Sequence, residues 1–208
     1  MRSTKYESGR HMDISPDILQ VLLALAAGVS LSASCGFRVF IPPLIMSLAS
    51  MAGVLDLSQD FAWMGTWQAA LAFGAAALLE VAAYYIPAVD NLLDTIAAPA
   101  SAIAGTVLTA ALLGADVSPA ARWILAAVAG GGTALTVSAG TAALRGASTS
   151  TTAGCANHLL STGELIVSTL MSVISILLPL LGVTLAAILV CAAIHMLNQA
   201  RKRFSSPS

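Results

Sequence analysis

The chain has 208 residues, of which 58% are hydrophobic and 9% charged, and its formal net charge is −1. Ordinary soluble domains carry about 45–50% apolar and about 25% charged residues. The composition therefore excludes an ordinary soluble domain and indicates an integral membrane protein with the lipid bilayer as its main partner. The net charge of −1 by itself indicates nothing about nucleic acid, and we expect no nucleic-acid partner for this membrane chain.

Four segments are predicted along the chain. Residues 1–12 form a polar leader, which we interpret as non-native, with the native start at Met12. Residues 13–116 and 117–200 are predicted to be the first and second halves of an internal repeat, and residues 201–208 a basic tail. Because three basic residues of this tail directly follow the last apolar run, we expect a cytoplasmic C-terminus at the inner (plasma) membrane.

Apolar runs long enough to approach the roughly 20 residues of a membrane span recur along the chain. We therefore predict an all-α polytopic membrane protein with six or seven transmembrane helices. The second run is ambiguous, because Pro42 and Pro43 near its start indicate either a helix N-terminus or a broken, re-entrant segment. The predicted spans are residues 18–34, 37–55, 67–85, 92–113, 122–144, 158–179 and 180–198.

Two nine-residue stretches inside these runs align without gaps, GVSLSASCG from Gly28 to Gly36 and GTALTVSAG from Gly132 to Gly140. Small residues let helix backbones approach closely, which favours packing of these two stretches at the centre of the bundle. Seven spans make the related helices parallel, whereas a re-entrant hairpin makes them antiparallel. We favour inverted repeats, which are common in small transporters. The predicted structural or hinge positions are Gly28, Gly36, Pro42, Pro43, Pro87, Gly132 and Gly140.

Each repeated stretch is followed by an arginine, and each half later carries a glutamate within or beside an apolar run. The first half contains Arg38 and Glu80, and the second contains Arg145 and Glu164. Charges inside a membrane segment are costly and mark candidate functional sites. We expect Glu80, about 9 Å inside its helix end, to be protonated, paired or facing an aqueous cavity. The same four charges could instead form a self-neutralising structural network.

The most polar part of the chain body follows Arg145. Its hydroxyl run at residues 148–152, together with Asn157 and His158, could bind an anion or replace the water around an ion, although surface loops also collect such residues. His158 is a candidate proton relay. Asp90 is either a ligand or a helix N-cap. The predicted ion- or substrate-binding residues are Arg38, Glu80, Asp90, Arg145, Ser148, Thr149, Thr152, Asn157, His158 and Glu164.

Signatures of catalysis are missing from the sequence. It contains no HExxH, no GxSxG, no nucleotide-binding loop and no clustered set of histidines or cysteines. We therefore expect no enzymatic activity, no cofactor and no metal site. The three cysteines lack CxxC spacing and lie among small or apolar residues, so we expect them to be packing thiols.

The motif GFRVFIPP after a small-residue helix, then LEVAAYYIPAVD, then the second-half arginine and hydroxyl stretch resembles an uncharacterised bacterial inner-membrane family, a domain of unknown function (DUF4126-like). The similarity covers nearly all of residues 18–198. The family supplies no activity. One departure weakens a two-carboxylate cation site, because the family often carries an acid at the position of Tyr84 or Tyr85. The resemblance implies that the family pattern includes Arg38, Pro42, Glu80, Pro87, Asp90, Arg145, Asn157 and Glu164.

These observations favour a small transporter or channel that moves an ion or small solute through a charged midplane site where the repeats meet. Glu80 and Glu164 would be cation or proton ligands, and Arg38 and Arg145 counterions or anion ligands. The sequence leaves open the sign of the cargo's charge and the assembly state, for which a homodimer is one expectation. A membrane scaffold with a purely structural charge network is the main alternative, and a membrane-embedded enzyme is a weaker one.

Overall fold

The structure is a computed structural model that describes the backbone of residues 16–83, 87–114, 117–152 and 156–205. Side chains are described for residues 18–83, 95–114, 117–151 and 156–199. The predicted leader, residues 1–12, and the side chains of the basic tail lie outside these ranges, as do the side chains of Asp90 and Thr152.

Within the described residues the chain is helical and contains no strand. A short 3-10 helix, Gln59–Gly65, precedes α3, and a π-helical turn, Ala126–Gly131, joins α5 to α6 without a break. The α-helices are α1 Pro16–Cys35, α2 Ile41–Met51, α3 Trp67–Ala83, α4 Pro87–Leu112, α5 Pro119–Leu125, α6 Gly132–Thr152, α7 Asn157–Leu177 and α8 Pro179–Ser205.

Five helical segments of the described chain are long and apolar enough to cross a membrane, with α5, the π-helical turn and α6 counted as one. A sixth is added if the 3-10 helix and α3, which are bent by 65° relative to each other, form one span. The prediction of an all-α polytopic membrane protein is confirmed. Helices α1, α4, α7 and α8 each agree with a predicted span to within about seven residues at either end.

The ambiguous second run forms the short helix α2. Its 11 residues extend only about 16 Å, roughly half of the hydrocarbon core, so the predicted span 37–55 is broken. Pro42 and Pro43 lie in the first turn of α2, where backbone N–H groups have no partner within the helix and the loss of an N–H therefore costs little. The prolines thus mark a helix start.

Helix α1 runs antiparallel to α4. The Ser32 hydroxyl donates to the Gly105 carbonyl oxygen at 2.7 Å, and four residues earlier on α1, Gly28 faces Thr109, four residues later on α4. A Cβ atom added to Gly28 would lie 3.0 Å from the Thr109 Cα atom, which shows how closely the two backbones approach.

Helix α4 is also antiparallel to the continuous helix formed by the π-helical turn and α6. Gly105 faces Ala134, whereas Thr109, four residues later on α4, faces Gly130, four residues earlier. The two repeated helices, α1 and α6, are therefore parallel, and the inverted arrangement that we favoured from sequence is not observed. The reason is that the short helix α2 and the loop after it return the chain to the opposite end of the bundle, where the Ser58 N–H donates to the Ala111 carbonyl oxygen at 2.8 Å.

Helices α1 and α7 meet along faces of buried serines. Ser168 on α7 donates its hydroxyl to the Ser34 carbonyl oxygen on α1 at 3.0 Å. Other hydroxyls on the same faces, those of Ser172 and Ser175, donate to carbonyl oxygens of their own helix. Small side chains with internally satisfied hydroxyls allow close packing of helices without an apolar ridge between them.

Candidate functional site

Four buried ionisable side chains meet near one end of the bundle, where α1, α3 and α6 end and α7 begins. We call Arg38, Glu80, Arg145 and Glu164 the charge cluster. Their exposed fractions are 1%, 8%, 4% and 7%, respectively. Arg145 and Glu164 each lie seven residues inside a helix end, about 10 Å of helix length. The cluster therefore lies well inside the helical bundle and combines side chains from the N-terminal and C-terminal halves of the chain.

The second half of the cluster is a closed ion pair between neighbouring helices. Arg145 on α6 donates from Nε to Oε1 of Glu164 at 3.0 Å and from Nη2 to Oε2 of the same carboxylate. Two parallel hydrogen bonds between a guanidinium and a carboxylate give the strongest pairing geometry available to these groups. The pair thus fixes the position of α6 relative to α7.

The first half reaches this pair through Arg38, which lies in the turn after α1. Its Nη2 atom lies 3.7 Å from Oε2 of Glu164 and donates to the Ser161 carbonyl oxygen at 2.7 Å and to the Ser161 hydroxyl. Glu164 therefore lies between two guanidinium groups, one from each half. The turn can approach because Gly36 contacts α6, where an added Cβ atom would lie 2.5 Å from the Val137 Cβ atom.

Glu80, near the end of α3, binds backbone groups. Its Oε1 atom accepts from the Val39 N–H at 2.8 Å, and its Oε2 atom accepts from the Phe40 N–H at 3.0 Å. Phe40 is the N-cap of α2 and offers no side-chain cap. The carboxylate therefore caps the start of α2, where the helix dipole favours a negative charge.

Two openings adjoin the cluster. A cavity of about 10 Å³, room for about one water molecule, lies between the halves beside Gly36, Ser138, Thr141, Arg145 and Glu164. A larger apolar groove of about 390 Å³ lies between α3 and α4 and reaches Glu80. Ala97 of α4 lines both openings. It therefore borders the cavity beside the Arg145–Glu164 pair and also the groove beside Glu80.

The predicted polar residues after Arg145 lie on the last turns of α6 and the first turn of α7. The hydroxyl run continues α6 as its last turns, where Ser148 is half-buried and Thr149 is exposed. Asn157 at the start of α7 donates to the Thr149 hydroxyl at 3.1 Å, and His158 is exposed beside it. These residues connect the adjacent ends of α6 and α7 at the surface. The side chains of Thr152 and Asp90 lie outside the described residues.

The predicted hinge and packing positions differ among themselves. Gly28 and Gly36 allow close approaches of α1 to α4 and α6, and Gly140 faces Ala193 of α8, which an added Cβ atom would approach to 2.6 Å. Gly132 has open space instead. Among the prolines, Pro42 and Pro43 start α2, and Pro87 is the first residue of α4.

Partners of the cluster were missed in the sequence. Ser161 is not among the predicted site residues, yet it is about one helical turn before Glu164 on the buried face of α7, a spacing that could have indicated their shared site. The backbone donors at Val39 and Phe40 carry no sequence signal. At the other end of the bundle, Arg122 pairs with Asp60, an ion pair across the repeat boundary that the sequence reading did not assign.

The fold and the charge cluster define a polytopic helical membrane protein with ionisable groups buried between its two halves. The family described as "Domain of unknown function (DUF4126)" matches residues 25–199, so the chain belongs to this family. No curated protein and no solved structure matches the chain. Within the described part of the chain, no group of three or more His, Cys, Asp or Glu residues could hold a metal ion.

Proposed function

We propose that this protein is a small transporter or channel that moves an ion or small solute through the charge cluster between its two halves. The observation that supports the proposal best is the convergence of four ionisable side chains from both halves, each at least 92% buried, in the interior of a bundle of membrane-spanning helices. Charged side chains at such depth are expensive even when they are paired, and they are characteristic of ion and substrate pathways.

The two carboxylates would have different roles in transport. Glu164 is engaged by Arg145 and lies 3.7 Å from Arg38, so it holds the halves together. Glu80 is bound by two backbone N–H groups and borders the groove, which makes it the group that a cation or proton can reach. Arg38, between them in the turn after α1, would respond to the charge state of either carboxylate.

The orientation proposed from the basic tail sets the direction of the pathway. Helix α8 runs towards the side of the bundle where the charge cluster lies, because Gly182 near its start faces Ser30 of α1, whereas Ala193 in its middle faces Gly140 of α6, which lies nearer the cluster. With a cytoplasmic C-terminus in the inner membrane, the cluster lies in the cytoplasmic half of the bilayer. The exposed residues Trp63, Trp67 and Trp123 then form an aromatic belt at the outer surface.

A scaffold without cargo is the second candidate, and one observation favours it specifically. The charges largely satisfy one another, since Arg145 and Glu164 form two hydrogen bonds and Glu80 caps α2. A network of this kind could serve only to fix helix register. The scaffold and the transporter predict different results for variants that keep the fold but change one charge.

The test is flux in reconstituted liposomes, with proton, monovalent cation and anion gradients measured one at a time against empty vesicles. We expect flux of one of these ions in the wild type, and we expect Glu80→Gln to reduce it to the level of empty vesicles because the variant removes the only carboxylate charge beside the groove among the described residues. Arg38→Ala should also abolish it.

The matched control is Asp60→Asn, the same acid-to-amide change at an exposed carboxylate at the opposite end of the bundle. It should retain most of the flux. Circular dichroism and size-exclusion chromatography identify variants that remain folded. Absence of any flux in the wild type, or equal flux in folded Glu80→Gln and Asp60→Asn proteins, would contradict the transport proposal and favour the scaffold.

A further inference from the structure

The apolar groove beside Glu80 has the composition of a binding site for a hydrophobic group. Ala76 of α3 and Ala97 and Ala100 of α4 line it with small side chains, while Leu79 and Ile96 border its opening. Leu79 is 71% exposed and Ile96 49% exposed. On a membrane-spanning bundle such exposed apolar side chains face lipid, so the groove opens sideways into the bilayer.

The groove exists because α3 and α4 do not pack closely against each other along their length. Helix α3 packs mainly against α2 and has few contacts with α4. Alanines on both walls then leave about 390 Å³ unfilled. A pocket of this volume matches the range of small-molecule sites.

One polar group interrupts this apolar lining, and it is a carboxylate. Of the described lining residues, Glu80 alone is ionisable. Each of its oxygens accepts one backbone N–H, from Val39 and Phe40. An ionised carboxylate offers about four acceptor positions, so acceptor capacity remains for a ligand. A negative group at the end of an apolar groove is complementary to a ligand with one positive, hydrogen-bonding end and an apolar body.

We infer that the groove between α3 and α4 binds a lipophilic organic cation, with an ammonium group donating to Glu80 and an apolar body between the alanine walls. The inference rests on the proposed transport function and assigns its substrate class. Because the groove opens towards lipid, the cation partitions into the bilayer first and enters from the side. Its charge then lies within reach of the Arg38 turn that joins the two halves.

Binding is tested on the full chain in phosphatidylcholine nanodiscs, with empty nanodiscs subtracted. The probes are n-hexylammonium and n-hexanol, which share the apolar body and differ in the charged end. In isothermal titration calorimetry we expect the wild type to bind the ammonium at least about tenfold more tightly than the alcohol, the gain typical of a hydrogen bond to a charged group. Glu80→Gln should reduce this preference to about unity.

A second pair of variants tests the groove itself and leaves the carboxylate intact. Ala76→Leu places a larger side chain in the groove and should weaken both probes by about tenfold or more. Ala75→Leu makes the same change at the preceding residue of α3, an exposed position outside the groove, and should bind both probes like the wild type. Loss of binding in Ala76→Leu alone therefore reports on the groove rather than on folding.

Equal binding of ammonium and alcohol by the wild type would overturn the inference and identify the groove as a site for neutral lipid chains. Equal binding by the Ala76→Leu and Ala75→Leu proteins would overturn it by placing the ligand elsewhere. Neither result depends on an ion gradient. Selective ammonium binding without flux of small ions would leave the binding site standing but remove its role in the proposed transport function, and flux of small ions without selective ammonium binding would reject the inference alone.

Discussion

The two buried glutamates, Glu164 and Glu80, have different partners for their carboxylates. Glu164 is paired with the Arg145 side chain and approached by Arg38, and adjoins a cavity with room for about one water molecule. Glu80 is held by backbone N–H groups at the start of α2 and borders a groove of about 390 Å³. One carboxylate is locked by side chains, and the other is positioned by backbone and accessible from one side.

This difference separates a carboxylate that joins two helices from one that keeps room for a further partner. A guanidinium and a carboxylate with two hydrogen bonds hold each other in one geometry. Backbone donors fix a carboxylate equally well but leave its charge uncompensated by a directly bonded cation. Pairing with a guanidinium suits a carboxylate that holds two helices together. Binding by backbone N–H groups suits a carboxylate that binds and releases a ligand.

The largest effect that tests this comparison is expected for Glu164→Gln. The variant leaves two buried guanidinium groups without their shared counter-charge, which should lower the free energy of unfolding by about 3–5 kcal/mol. Glu80→Gln should cost only about 1–3 kcal/mol, because it removes one acceptor and leaves no buried side-chain ion pair broken. Denaturant titration of the detergent-solubilised protein measures both.

The double variant Arg145→Met with Glu164→Leu is the control for this prediction. Replacing both members of a buried ion pair with apolar side chains should cost less than removing the carboxylate alone. Equal losses for Glu164→Gln and Glu80→Gln would show that the two carboxylates are energetically alike and would remove the basis of the comparison.

An intermediate effect is expected for Gly36→Ala, which tests the link between the two sites. The new Cβ atom would lie 2.5 Å from the Val137 Cβ atom and 2.8 Å from the Ala134 carbonyl oxygen, so α1 or α6 must shift. Overpacking of this kind typically costs about 1–3 kcal/mol. The shift moves the turn that carries Arg38 and the donors to Glu80, so flux should fall together with the unfolding temperature.

Gly132→Ala is the control, the same substitution at a glycine of the second repeated stretch that has open space around it. An added Cβ atom there meets no atom within 4 Å, and alanine favours a helix over glycine by about 1 kcal/mol. We therefore expect a stability that is unchanged or slightly higher. A loss in Gly132→Ala equal to that in Gly36→Ala would mean that backbone effects, and not the contact with Val137, decide the result.

Much of the fold could be predicted because charge and proline interrupt long apolar runs. Arg38 lies in the turn after α1, and Pro42 and Pro43 mark the start of α2. The relative direction of α1 and α6 could not be predicted, because it depends on whether the short α2 returns the chain to the far end. Its length alone does not determine that path.

The composition of the charge cluster was predictable in part for a similar reason. The free-energy cost of burying a charge in a membrane segment identifies the four charged residues in the sequence. Their partners depend on helix packing, which the sequence does not show. Arg38 meets Ser161, which is 123 positions away in the chain. The hydroxyl run after Arg145 looked like a binding loop, yet on a helix Ser150 and Thr151 donate to the Ala147 carbonyl oxygen and so need no ligand.

The smallest effect is expected at the ion pair between Asp60 and Arg122, at the other end of the bundle. The Asp60 side chain is 67% exposed, so water can solvate both charges when the pair is broken and the pair stabilises the fold little. The Arg122 guanidinium also lies 5.9 Å from the centre of the Phe61 ring, a contact that survives removal of the acid. Asp60→Asn should therefore lower the free energy of unfolding by no more than about 1 kcal/mol.

This variant tests whether Glu164 stabilises the fold more than Asp60 because it is buried, since both carboxylates are paired with an arginine. Unfolding should be measured at low and high salt, since salt screens exposed pairs and affects buried ones much less. The difference between Asp60→Asn and the wild type should shrink at high salt, whereas the loss in Glu164→Gln should persist. A salt-independent loss of about 3 kcal/mol or more in Asp60→Asn would place a second structural lock at this end. The cluster around Glu164 would then no longer be the single joint on which the contrast with Glu80 depends.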